Sequence, residues 1–396
     1  MNNKIYDTVI IGAGPAGLAA AITMAKHNYS ILVIDKEQFP RDKICGDGLT
    51  GDSLRVLKNF NLLNKVEKAG FISEKIELYT SKSSKFTLNN KVITLRRLHF
   101  DKILYDEAVR LGVKFIVGKY EGITRSCKNY TDIEIHDTKS KTIKSISAKY
   151  LIISTGCQSD KGIPKILHPK ISKPDLIAYR GYYKVNWPIE NLKVYFAEEI
   201  DPGYIWVFPM GNNTFNIGCG GKINKEKTKK LKHCLKDFIN RTNAEYFISG
   251  EWLDTPKAAF LRTDLCNLNI CRKSKNIILA GETLGSTYPF TGEGLGKAMD
   301  TGIIAGETCL HGLLSSNTDY NLSAEYIREI KKRIRKNYYP YRGAYLALAK
   351  TPFKKYFFKK ICKSPRIVNF ISKILDEKIS PMQIFHPKGI LDLFSK

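Results

Sequence analysis

Residues 6–37 read YDTVIIGAGPAGLAAAITMAKHNYSILVIDKE. Val9, Ile10 and Ile11 form a short apolar run that reads as a strand. It meets Gly12-x-Gly14-x-x-Gly17, then an Ala-rich segment, AGLAAAITMAKH, that reads as a helix. SILVID reads as a second strand and ends in Asp35, eighteen residues after Gly17. In such a unit Gly12 permits the turn and Gly14 lets a pyrophosphate approach the backbone. Gly17 lets helix and strand pack closely. The helix turns its positive end toward phosphates. An acid at position 35 bonds ribose hydroxyls and disfavours a 2′-phosphate. A glycine triplet alone is weak evidence. Strand, helix, second strand and acid in register make it a dinucleotide-binding unit. Residues 8–25 are uncharged and of about membrane-spanning length. The glycines and Pro15 fall where a strand turns into a helix, so the run is not read as a span.

The chain has 396 residues, enough for two domains and a sizeable core. Hydrophobic residues make up 43%, the composition of a globular protein. Nine cysteines are scattered, and Cys266 and Cys271 in CNLNIC lack zinc-knuckle spacing. The reading is free thiols in a reducing cytoplasm and no metal site. No signal-peptide pattern precedes the glycine motif.

The formal net charge is +26. Between Arg328 and Arg366 fourteen cations face one acid, Glu329, so half of the excess lies in a tenth of the chain. Tyr338, Tyr339, Tyr341, Phe353, Tyr356, Phe357 and Phe358 are interleaved with them. A basic surface with aromatic anchors suits anionic lipid headgroups. A solvated helical face is the plainer alternative, and a nucleic-acid surface is not favoured. In TPFKKYFFKKIC, the residues expected to dip into a membrane interface are Phe353, Phe357, Phe358 and Ile361.

Three later stretches favour FAD over NAD. RRLHFDKILYDEAVRLGVKFIV (96–117) reads as a basic entry, a helix and a strand. AKYLIISTGCQS reads as a strand ending at small residues and Gly156. KNIILAGETLGSTYPFTGEGLGKAMDTGIIAGE reads as a strand, an acid, a Gly/Pro loop and a helix starting near Gly294. Over residues 5–310 the sequence resembles the FAD-dependent geranylgeranyl reductase family. That family lies within the wider group that holds aromatic hydroxylases and flavin halogenases. The resemblance implies that Gly12, Gly14, Ala16, Gly17, Asp35 and Lys36 bind the ADP half of FAD. It also implies that Arg97, with Asp101, lies near the pyrophosphate. Gly281-Glu282 matches the group's Gly-Asp motif with Glu replacing Asp. The loop from Pro289 brings Gly292, Gly294, Leu295 and Gly296 to the flavin, their N–H groups toward its N1/C2 carbonyl region.

Two stretches separate the reductases from their cousins. The first is KICGDGL (43–49), which sets Cys45 and Gly46 beside the flavin ring. The second is YIWVFPMGNNTFNIGCG (204–220), matching Tyr-x-Trp-x-Phe-Pro, a spacer and Gly-x-Gly. Tyr204, Trp206 and Phe208 alternate, so in a strand they share one face. An aromatic face against a flavin suits a long apolar substrate, with Pro289 beside it.

The function implied is reduction of carbon–carbon double bonds in an isoprenoid chain: a geranylgeranyl or polyprenyl lipid, a diphosphate or a quinone tail. The residues assigned to catalysis are Cys45, Tyr204 and Trp206. Cys45 either donates the proton, positions substrate or tunes the flavin, or only packs. Arg41 and Lys43 favour a thiolate if they point inward, and Asp47 either polarises the thiol or bonds the loop. The electron donor is NADPH visiting transiently, or a ferredoxin-like carrier. The alternatives are a monooxygenase or halogenase on an aromatic or polyketide substrate, and a flavin-bearing electron-transfer component. Halogenases of the group carry Trp-x-Trp-x-Ile-Pro where this chain has YIWVFP.

The expected architecture is an α/β, Rossmann-type FAD-binding domain (GR2/PHBH-like) with a mainly antiparallel substrate sheet and a helical tail. The FAD domain is read as 1–170 and 267–312, the substrate domain as 171–266, and the basic tail as 313–396. Pro340, Pro352, Pro365, Pro381 and Pro387 are expected to break the tail into short helices. Peripheral contact of a cytoplasmic protein with an anionic membrane follows from the tail's charge.

Overall fold

The computed structural model describes residues 5–80, 84–127, 129–157, 171–185, 190–223, 225–243, 250–289, 291–315, 319–348, 351–380 and 383. The strand Ile5–Ile11 lies at the centre of a six-stranded sheet. It runs parallel to Ile31–Asp35 on one side and Thr142–Ile153 on the other, with Ile11 opposite Ile34 and Ile153. Lys114–Ser126 and Ile277–Leu279 extend the parallel set. Ile11, Asp35, Ile153 and Leu279 therefore end at one edge, where an open α/β sheet binds its ligands. The strand Thr131–Asp137 runs antiparallel between two longer neighbours.

The helix Pro15–Met24 is buried on almost every side. Alanines suffice there because a second helix, Leu295–Leu314, lies directly on it. The contact is close: a Cβ at Gly302 would fall 2.0 Å from the Ala16 carbonyl oxygen. A uniformly apolar helix is thus explained by burial between layers.

An eight-stranded sheet forms the second layer. It runs in the order Gly250–Trp252, Leu176–Val185, Thr214–Lys222, Gly203–Pro209, Leu192–Tyr195, Ile76–Tyr79, Lys85–Leu88. Lys257–Leu261 also pairs with Leu176–Val185. All pairings are antiparallel except Leu192–Tyr195 with Ile76–Tyr79. The hairpin at 76–88 comes from the range read as FAD domain, so that range also supplies strands to the substrate sheet. A small sheet of Gly48–Leu49, Val92–Thr94 and Phe71–Ser73 links the two.

The tail is helical and is broken at Pro352 and Pro365, as expected, but not at Pro340. Pro340 lies inside the helix Lys336–Leu348, after a π turn at Lys331–Arg335. Pro340 has no N–H to offer the Lys336 carbonyl, and the π turn just before it is a local irregularity beside that gap in the helix's bonding. Tyr338 and Tyr341 anchor the segment by packing on Tyr288. Pro352 and Pro365 stand in the first turns of Thr351–Ile361 and Pro365–Leu375, starting helices rather than ending them. Pro381, Pro387 and the Phe353 side chain lie outside the described residues. Phe358 and Ile361 are buried with Ile76, Phe86, Leu88 and Leu192, and Phe357 packs against the same cluster. The face expected to enter a membrane therefore covers the outer strands of the substrate sheet. Among the described residues no helix is long and apolar enough to cross a membrane.

Candidate active site

The glycine turn crosses the C-terminal edge of the parallel sheet. Gly12 has φ +96°, and a Cβ there would fall 2.5 Å from the Ser154 carbonyl oxygen. A Cβ on Gly17 would fall 2.0 Å from the Gly12 carbonyl oxygen. At Gly14 a Cβ would meet nothing within 4 Å, so the helix N-terminus opens onto free volume. Asp35 Oδ2 accepts from the Ala13 N–H at 2.7 Å and holds the turn's shape. Lys36 points away and pairs with Glu37 on the surface. The cation at the turn is Arg41, which sequence reasoning assigned to the thiol. It donates to the Ala13 carbonyl and to Asp101 Oδ2, each at 3.0 Å, and lies 3.5 Å from Asp35. Its Nε is buried and has no partner. Open space at a helix N-terminus, an acid at the end of the second strand and an incompletely bonded guanidinium fit a dinucleotide diphosphate such as FAD.

Arg97 shares Asp101 with Arg41. It donates to both oxygens of Asp101, at 2.6 and 2.8 Å, and its guanidinium also reaches the Cys45 thiol. Burial opposes its charge, but Asp101 outweighs burial and holds Arg97 firmly cationic. Burial and then the Asp47 charge push the Cys45 thiol up, against the pull of Arg97. Cys45 is therefore set up as a neutral thiol. Asp47 does not aim at it. Asp47 is buried with φ +62°, and its Oδ2 accepts from Tyr182 Oη at 2.5 Å and Asn216 Nδ2 at 2.8 Å. Burial raises its carboxyl to about 6 despite these donors. Lys43 lies by Gly156 and is held below its ordinary value by burial, then by Arg97 and Arg41.

The loop is stapled to the substrate sheet. Arg180 Nε and Asn216 Nδ2 both donate to the Cys45 carbonyl, at 3.1 and 2.8 Å. Asn216 Oδ1 accepts from the Trp206 indole at 2.9 Å. The Tyr182 ring has a guanidinium against it from Arg96 at 4.2 Å and from Arg180 at 4.3 Å. Sequence reasoning missed this network. Its signal was a charge and a tyrosine two apart in YRGYYKV, on one face of a strand.

Tyr204, Trp206 and Phe208 form one aromatic face, with ring centroids 6.0 and 6.3 Å apart. Their cross-strand partners are Gly220, Gly218 and Asn216. The Gly-x-Gly thus leaves room for the rings. Gly46 and Gly48 lie under them: a Cβ at either would meet the Phe208 ring at 3.7 or 3.6 Å. Tyr204 donates its hydroxyl to the Thr291 carbonyl, which ties the wall to the loop before the helix Leu295–Leu314.

In that loop Glu282 accepts from the Arg262 N–H at 2.8 Å and Thr287 Oγ1 at 3.1 Å. Its extra methylene lets it bridge to the neighbouring segment, and burial raises its carboxyl. Gly281 takes φ +62° and donates to Thr301 Oγ1. The Gly292 N–H donates to the Tyr288 carbonyl, so it does not point into the cleft as expected. The first-turn N–H groups after Gly294, at Leu295 and Gly296, have no carbonyl within the helix to serve. Pro289 is buried and lines a cavity of about 140 Å³ with Asp175, Leu176, Arg342 and Tyr345, away from the aromatic wall. Among the described residues no His, Cys, Asp and Glu group is arranged to hold a metal.

Residues 5–177 match the FAD binding domain family, and residues 178–251 match the geranylgeranyl reductase catalytic domain. The chain joins an FAD binding domain to a geranylgeranyl reductase catalytic domain. This reductase is 26% identical over 357 residues to the digeranylgeranylglycerophospholipid reductase of Methanococcus vannielii, covering 85% of this chain and 84% of that one. It is 26% identical over 344 residues to the menaquinone reductase of Mycolicibacterium smegmatis, covering 81% and 79%. Its fold matches a geranylgeranyl bacteriochlorophyll reductase-like protein from Thermoplasma acidophilum with TM-score 0.78 at 20% identity, over 96% and 99% of the chains. The boundary between the two matched regions falls within the strand Leu176–Val185, where the chain enters the substrate sheet.

Proposed function

We propose that this reductase saturates carbon–carbon double bonds of an isoprenoid chain carried by a lipid, a diphosphate or a quinone. The observation that carries the reading is the wall of Tyr204, Trp206 and Phe208, set over Gly46 and Gly48 and tied by Asn216 to the carbonyl of Cys45. An apolar wall of this kind binds a chain that offers no hydrogen bonds. When bound, FAD supplies the hydride. The Gly12–Gly17 turn, Asp35 and Arg41 hold its diphosphate and ribose, and the N–H groups of Leu295 and Gly296 face its ring end.

Cys45 acts by position. Its thiol is held neutral and its carbonyl is pinned by two donors, so it shapes the space between wall and ring. The electrons come from a reduced nicotinamide or a ferredoxin-like carrier. Contact with anionic lipid is electrostatic, through the exposed Lys355, Lys359, Lys363 and Arg366.

Mass spectrometry of host lipids and quinones with and without this protein tests the function. Mass steps of two hydrogens on one prenyl class are expected. Identical lipid and quinone profiles overturn the reading.

A further inference from the structure

We propose that the cavity between the helix Lys336–Leu348 and the substrate sheet is the port through which a prenyl lipid reaches the aromatic wall, and that Tyr339 and Leu346 seat this port in an anionic membrane surface. The proposal rests on the reading above, that an isoprenoid chain is the substrate.

Strand register places the port. Tyr204 stands opposite Gly220, and Gly220 opposite Ala178. Two residues further along, Lys222 stands opposite Leu176. Residues directly opposite one another, and residues two apart on a strand, share a face of the sheet. Leu176 and Lys222 are therefore the next row of the face that carries Tyr204, Trp206 and Phe208, about 7 Å beyond Tyr204. Both line the cavity of about 140 Å³. The opposite side of the cavity gives the same position. Pro289 lines it, two residues before Thr291, whose carbonyl accepts from the Tyr204 hydroxyl. The cavity holds none of the wall's three rings. It begins where they end, at the tie between Tyr204 and Thr291.

The tail supplies the outer side. Ile334, Tyr338 and Tyr341 recur at i, i+4 and i+7 and are buried. Arg335, Tyr339, Arg342 and Leu346 follow the same period in the stripe beside them. Tyr339 and Leu346 are 57% and 56% exposed, although both are large and apolar. Arg342 is exposed too, and Arg342 and Leu346 also line the cavity. The stripe and the mouth of the cavity are thus one surface.

Charge names the occupant. Lys331, Lys332 and Lys336 are exposed beside the stripe, and no ion pair reaches them or the exposed Lys222 among the described residues. The acids of the cavity are already engaged. Asp175 accepts from the Thr263 N–H at 3.1 Å and from its hydroxyl at 2.5 Å, and Asp264 lies 3.8 Å from Arg342. Free cations around two exposed apolar side chains fit anionic headgroups lying over acyl chains. The mixed lining fits the junction of an isoprenoid chain with an anionic head. Leu176, Pro289 and Leu346 meet the chain, and Lys222 and Arg342 meet the head.

The test uses the holoenzyme and variants at the two exposed positions. Tyr339→Trp adds a reporter to the three native tryptophans. Anionic vesicles should shift its added emission to the blue, and bromine on the lipid chains should quench it. Sedimentation with those vesicles without the shift means that the stripe stays in water or meets another acidic partner, and it overturns the docking face. Tyr339→Glu should keep its flavin absorbance and Tm. It should reduce prenyl lipid in anionic vesicles about tenfold more slowly or worse, the loss of one buried apolar side chain. On a short prenyl analogue dissolved as monomer it should match wild type. A wild-type rate on vesicles, or an equal loss on both substrates, overturns the docking face. Leu346→Trp narrows the port, so kcat/KM should fall about tenfold on the dissolved analogue as well. Wild-type kcat/KM on both substrates, or a fall on vesicles alone, overturns the port. Wild-type holoenzyme that leaves every double bond intact overturns the functional reading and the port with it. The emission of Tyr339→Trp then still decides the docking face separately.

Discussion

Gly218 stands directly opposite Trp206 across the hairpin, and a side chain there would begin 2.2 Å from the indole ring. The second glycine signature is therefore a steric allowance for the aromatic wall. Gly218→Ala should force the indole aside, costing about 1–3 kcal/mol of stability. FAD should stay bound, because the glycine turn at Gly12–Gly17 is on the other sheet. The expected result is a lower Tm and at least a tenfold loss of prenyl-chain turnover, read by melting curves and product mass. Unchanged turnover would show that the wall does not touch the substrate.

Arg41 is predicted to matter for FAD retention and Lys36 not to. Arg41→Gln removes the cation that joins the Ala13 carbonyl, Asp101 and Asp35. FAD affinity should fall at least tenfold, measured by flavin fluorescence on titrating apoprotein. Lys36→Ala should stay within twofold, since that side chain reaches only Glu37.

Asp47 gives a pH signature in stability. Its carboxyl titrates near 6 in the folded chain, against about 4 unfolded. Between those values the folded state binds more protons, so this group's contribution falls as pH rises from about 4 to about 6. Asp47→Asn removes the titration. The difference in Tm, variant minus wild type, should therefore rise across that window and level off above it. A flat difference would mean that Asp47 is not held protonated by burial.

Cys45→Ala separates positioning from packing. FAD should remain bound and double-bond reduction should slow at least tenfold, because the thiol lies against Arg97, beside the place proposed for the flavin ring. Turnover equal to wild type eliminates any catalytic part for Cys45.

The tail divides into an inward and an outward set. Phe358→Ala should cost about 3 kcal/mol or more, because the ring is buried beside Phe196, and should leave lipid binding unchanged per folded molecule. Charge reversal at Lys355, Lys359 and Lys363 should leave Tm alone and abolish salt-sensitive sedimentation with anionic vesicles. Equal binding to neutral vesicles would reject the electrostatic contact.

The sequence by itself determined the parallel sheet, its glycine turn and the aromatic strand. Those rest on local rules: a period of two, glycine where backbone must approach, an acid at a strand's end. Tertiary structure alone decided the rest. Arg41 meets the turn and shares Asp101 with Arg97, Asn216 and Tyr182 take up Asp47, and Asp52 meets Lys297 across 245 residues of chain. The basic tail also turned Phe357 and Phe358 inward, where with Ile361, Ile367 and Ile371 they cover the apolar sheet face left by the hairpin at 76–88. Partners so distant in sequence leave no periodic trace in either segment. Their pairing follows from burial, which penalises an unpaired charge and so selects which groups must meet.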